Sequence, residues 1–141
     1  MPRTFLTILL AATLTGACPS APPTVENVAP GVGQRGTEFT LMLSGARLSD
    51  PKELIFYSPG VICTKLTATS ENQVTATLKA AADSRLGDYP FRLRTSGGAS
   101  EVRIFRVTPF PVVAEREPND SPREAQLVQL NVSITDRKSV V

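Results

Sequence analysis

Arg92 and Arg94 stand two apart in an alternating run, and Arg103 and Arg106 follow on the next run. If the two runs pair as a hairpin, four guanidiniums form a basic stripe suited to an anionic glycan or another cell-surface polyanion. The plainer reading, which we prefer, is a solvated outer sheet face neutralised by Asp88 and Glu101, whose charges discourage edge pairing. Glu115, Glu117 and Asp120 form a second constellation, three carboxylates near a proline that could hold Ca²⁺. Arg116 and Arg123 weaken that field, and a hydrated linker accounts for it as well. Cys63 sits in an Ile-Cys-Thr run and reads as a small buried hydrophobe, not a reactive or metal-binding thiol.

The chain of 141 residues contains no histidine and no tryptophan. Without histidine it lacks the commonest general base, the Ser-His and Cys-His nucleophile systems and the commonest zinc ligand. Six Phe and two Tyr are a thin supply for a sugar- or base-stacking platform. Gly31, Gly33 and Gly36 do not lie in a turn between a strand and a helix, so they are not read as a phosphate loop. We assign no catalytic residue and no cofactor. Fifteen Lys+Arg against thirteen Asp+Glu, a net charge of +2, are too balanced to require a nucleic-acid partner.

The elements that would position these residues are strands. From Thr37 to Ser44, Phe39, Leu41 and Leu43 alternate with Glu38, Thr40 and Met42, which is the period of a half-buried strand. The glycine-rich turn at 30–36 leads into it, and Gly45 closes it. Similar short runs cover 24–29, 53–57, 61–66, 73–79, 89–95 and 101–107, separated by turn signals such as Asp50-Pro51, Ser58-Pro-Gly60 and Gly97-Gly98. Seven short strands in about 85 residues predict an all-β, immunoglobulin-like sandwich. Within it, Asp83 to Phe91 resembles the immunoglobulin tyrosine corner, with Tyr89 bonding back to upstream backbone. Phe91 stands where that family has its second disulfide cysteine, so this sandwich would be held by apolar packing.

Residues 24–108, with the landmarks Pro30-Gly31, Arg35-Gly36-Thr37 and Ser44-Gly45, are similar to the IPT/TIG immunoglobulin-like family of exported bacterial proteins. That resemblance implies a binding and spacing module with no catalytic residues to carry over. Residues 109–118 read as a linker. Beyond them, Glu115-Arg-Glu-Pro-Asn-Asp-Ser-Pro-Arg-Glu-Ala-Gln126, running into Leu127 and Leu130, resembles the opening of the pre-peptidase C-terminal domain. Residues 119–135 would then be the truncated start of a second β domain, loosely docked unless more chain follows. Asn131-Val-Ser133 also fits a glycosylation acceptor, to which an exported bacterial chain gives no meaning.

Met1 to Cys18 reads as a signal peptide, with a positive start, an apolar run too short for the about 20 residues of a transmembrane helix, and small residues at a cleavage site. Leu14-Thr-Gly-Ala-Cys18 resembles the bacterial lipobox, which leaves lipid attachment at Cys18 and plain cleavage both open. A Cys18–Cys63 bridge is the minor alternative. Residues 19–23 are a proline-rich tether. Asp136 to Val141 back-translates into a common short-read sequencing adapter, so coding sequence is expected to end near Thr135. Two functions are compatible with these features: a non-catalytic binding or spacer module at the N-terminus of a larger exported or surface-anchored bacterial protein, or the accessory N-terminal region of a secreted peptidase whose catalytic domain lies beyond this chain. The partner would be a protein or glycan at the cell surface. A lipid anchor would be the only link to a membrane.

Overall fold

A computed structural model describes residues 21–119 and 121–135. The expected signal peptide, lipidation site Cys18, Asp120 and the segment 136–141 lie outside the described residues. The fold is an immunoglobulin-like β-sandwich. Its first sheet orders β1 (Thr24–Ala29), β3 (Glu38–Ala46), β6 (Gln73–Ala80) and β5 (Val61–Ser70) as β1-β3-β6-β5. The second orders β2 (Val32–Gln34), β9 (Arg103–Thr108), β7 (Gly87–Thr95) and β4 (Pro51–Phe56) as β2-β9-β7-β4, with the short β8 (Gly98–Ala99) folded onto β7.

Period-two alternation builds the core, because every second side chain on each strand faces the other sheet. Leu41 and Leu43 of β3, Val74, Ala76 and Leu78 of β6, and Tyr89, Phe91 and Leu93 of β7 are all buried. Phe56 packs on Phe91 with ring centroids 5.5 Å apart, and no disulfide joins the sheets among the described residues.

Two strands of the sandwich go beyond the sequence expectation, making nine where about seven are predicted. One is β8. The other is β2, which lies inside the stretch expected to be a turn. The chain leaves the first sheet after Ala29 and joins the second, pairing parallel to β9 through Val32↔Arg106, Gly33↔Val107 and Gln34↔Thr108. Glycine is required at the middle of β2. A Cβ on Gly33 would lie 2.6 Å from the Phe39 ring and 2.8 Å from Phe105, and those two rings stack at 5.0 Å. The backbone of β2 therefore lies directly against the aromatic pair.

Past the sandwich, β10 (Val112–Ala114) and β11 (Ser133–Thr135) form a separate parallel pair. Part of the expected linker is thus a strand. The Thr108 and Ser133 hydroxyls share a hydrogen bond at 2.8 Å, which ties this pair to the end of β9. Between the two strands Leu127 and Leu130 are 99% and 93% exposed, so these two leucines of the expected second domain are not covered by the described residues.

Candidate functional site

The register of β4, β7 and β9 places the four arginines. Arg92 and Arg94 are on the outer face of β7, opposite Ile55 and Glu53 of β4. Arg106 is also on the outer face, opposite Asp88 at the far end of β7. Arg103 is not with them. It pairs with the inward-facing Phe91 and so takes the inward parity of Phe105, at the margin between the sheets. The structure does not line the four up as one stripe.

Three of the four are already engaged with carboxylates. Arg94 Nε meets Glu53 at 2.6 Å, Arg106 Nε meets Asp88 at 2.7 Å, and Arg103 Nη2 meets Glu101 at 2.9 Å. The Arg106 guanidinium, donating to Asp88, holds that carboxyl below its usual range, and the Asp88 charge raises the Arg106 value in return. Both groups are exposed, so the pair adds little to stability. Arg92 has no carboxylate within salt-bridge distance among the described residues, and its Nε is buried without a partner. Three arginines already paired with carboxylates offer a polyanion much less than free ones would.

Arg103 and Glu101 work on backbone instead. The Val25 N–H donates to Glu101 Oε1 at 2.9 Å, and the Val25 carbonyl accepts from Arg103 Nε. This captures both polar groups of one residue of β1 at the point where the β1–β3 register slips between Val25 and Asn27. Val25 lies on β1, an edge strand of the first sheet, and the side chains of Glu101, just before β9, and Arg103, on β9, pair with its backbone.

Tyr89 is fully buried, and its hydroxyl donates to the Arg85 carbonyl at 2.8 Å. Gly60 approaches the same hydroxyl closely enough that an added Cβ would lie 3.1 Å away. The ring fills the core while the hydroxyl closes the turn before β7, a structural task.

Cys63 is half-buried, and its thiol donates to the Lys65 carbonyl at 3.3 Å. Burial pushes the thiol up from its ordinary value, so at neutral pH it is protonated and a poor nucleophile. In the acidic run, Glu115 accepts from the Asn119 side-chain amide at 2.6 Å, and Glu124 accepts from the Ser121 hydroxyl at 2.8 Å. No group of three or more metal-ligating side chains forms among the described residues.

One concavity draws on the glycine-rich turn at 30–36 and the strand after it, where the sequence suggests no site. It is a cleft of about 540 Å³ between β2, β3 and β10, walled by Pro30, Val32, Phe39, Met42, Pro111 and Val112. Thr37 donates its hydroxyl to the Gln34 carbonyl at 2.8 Å, so part of its polar lining is already satisfied. Among the described residues no ionisable side chain lines the cleft, which suits it to holding an apolar group and not to proton transfer. The outward-facing Met42, at 43% exposure among polar neighbours, was the available signal.

No family model matches the chain, and no curated protein matches it. Among solved structures it is similar to SGBP-B of the mixed-linkage glucan utilization locus of Bacteroides ovatus, in complex with a mixed-linkage heptasaccharide. That match has 20% identity and a TM-score of 0.47, over 66% of this chain and 24% of the other. It is also similar to SGBP-B from a complex xyloglucan utilization locus in Bacteroides uniformis, with 20% identity and a TM-score of 0.45, over 62% of this chain and 24% of that one. The chain thus spans about a quarter of the length of either structure.

Proposed function

We propose that this chain is a non-catalytic binding or spacer module within a larger exported or surface-anchored bacterial protein. The path of the backbone carries this reading. Val25 is bound to Glu101 and Arg103, at the start of β9, whereas the sandwich ends at Thr108, at the finish of β9 and beside Gln34. The chain therefore comes in at one end of the sandwich, here called proximal, and leaves at the other, distal end. Six extended residues separate the two by about 20 Å. That arrangement spaces whatever lies on either side, as a module in a series does.

The similarity of 24–108 to the IPT/TIG family supports the reading, as do the residue types that would export and tether the chain. Its partner in this reading is a protein or glycan at the cell surface. The Glu-Pro-Asn run at 117–119 and the Glu-Ala-Gln run at 124–126 favour the second form of the proposal, an accessory region of a secreted peptidase.

Two copies of the chain joined end to end, studied by small-angle scattering, test the spacer geometry. An extended particle, longer than a single copy by about one sandwich, is the expected result. A compact side-by-side particle would overturn it.

A further inference from the structure

We infer that the segment from Val25 to Arg35 is a force-bearing clasp that resists tension along the chain, a role that rests on the spacer reading above. In a spacer, tension pulls Thr24 toward the proximal side and Thr108 toward the distal side. β2 runs parallel to β9, and β1 leads into it in the same direction. Opposite pulls on the two chain ends therefore slide the N-terminal segment along β9 instead of lifting it off.

Sliding and lifting load the same hydrogen bonds differently. When a strand is lifted from one end, its bonds break one after another, each under the whole load. When it is slid along its partner, the bonds share the load and must yield together. The bonds in question flank β2 on both sides: the Arg106 N–H donates to the Gly31 carbonyl at 2.9 Å, and the Arg35 N–H to the Thr108 carbonyl at 2.8 Å. At the proximal end the Glu101 and Arg103 contacts to Val25 join the same segment to the start of β9. Arg47 adds bonds to the Pro22 carbonyl and the Thr24 hydroxyl, both at 2.7 Å. The N-terminal segment is thus fastened to β9 near both of its ends.

Packing opposes sliding as well. Gly33 lies so close to the stacked Phe39 and Phe105 rings that there is no room for a methyl group. β2 cannot move along β9 without dragging its backbone across those rings.

Single-molecule pulling on the full chain, carrying Cys18→Ser and Cys63→Ser, tests this. One arrangement places handles at the two chain ends. The other places them at the N-terminal end and at Glu71→Cys, in the proximal turn whose backbone bonds Gly45 and Leu48, so that the load lifts strands apart from one end. Forced unfolding reads the barrier along the chosen direction. The end-to-end unfolding force should be severalfold higher than the other at equal loading rate. Gly33→Ala should lower the end-to-end force and leave the other unchanged, and Phe39→Leu, which removes one of the two rings without adding volume, should do the same if Gly33→Ala does not fold. Equal forces in the two directions, or an end-to-end force indifferent to these substitutions, would overturn the clasp. An extended tandem particle combined with equal forces would sink the clasp and leave the spacer standing.

Discussion

The Val25 N–H donates to the Glu101 carboxylate at 2.9 Å, across 76 residues of sequence, joining β1 to the segment just before β9. The same carboxylate holds Arg103, whose Nε reaches the Val25 carbonyl. Glu101→Ala leaves a part-buried backbone donor unpaired and Arg103 without its counter-ion, and should cost about 2 kcal/mol. Glu101→Gln keeps an acceptor and should cost less than about 1 kcal/mol. Arg94→Ala removes an ion pair that is about half exposed on both sides, and should change stability by less than about 0.5 kcal/mol. Urea denaturation midpoints at constant slope measure all three, and a Glu101→Ala value no larger than that of Arg94→Ala would show that the contact holds nothing.

Tyr89→Phe isolates a single hydroxyl. The ring stays in a fully buried position, but the Arg85 carbonyl loses its 2.8 Å donor. A loss of about 1–2 kcal/mol is expected. The cost should appear without a change in the denaturant slope, because the exposed surface of the unfolded chain is unaltered.

Much of this fold is legible because period two survives wherever one face of a strand is buried. Residues 37–44, 73–79 and 89–95 announce themselves through Leu41, Leu43, Val74, Leu78, Phe91 and Leu93. The ten-residue β5 outruns the 61–66 that its sequence predicts, because it is an edge strand whose later residues Thr67 to Ser70 contrast little between faces. β2 is invisible for a different reason. Three residues centred on Gly33 carry no periodicity, and the aromatic pair that demands the glycine comes partly from Phe105, distant in sequence. The arginines show a third limit. Sequence sets the parity of a side chain within its own strand, but the register between β7 and β9 decides which face Arg103 shares with Arg92.

Two glycines separate close backbone approach from mere turn flexibility. A Cβ on Gly45 would fall 2.0 Å from the Thr24 carbonyl oxygen, so Gly45→Ala must push β1 off β3 and should cost about 3 kcal/mol. Gly31 has nothing nearer than the Val28 carbonyl at 3.7 Å. Gly31→Ala should therefore be neutral, or stabilising by about 0.5 kcal/mol through the unfolded chain. Thermal or urea unfolding of the two variants checks this, and comparable losses would contradict the geometry.

Cys63 makes stability depend on alkaline pH, and the sign is set by its surroundings. Burial against the core raises the thiol value in the folded chain, only partly offset by its hydrogen bond to Lys65. The folded state therefore holds the proton more tightly than the unfolded state does. This contribution is fully present below the unfolded thiol's value and is lost as pH rises through the folded one. In a Cys18→Ser background the urea midpoint should fall between neutral and alkaline pH by more than it does when Cys63→Ala is added. The reaction of Cys63 with a disulfide reagent should be slower than that of the urea-unfolded chain at each pH, and its rate should begin to rise at higher pH. Identical pH profiles for the folded and unfolded chains would mean that the thiol is freely solvated and that its strand packs more loosely than the structure shows.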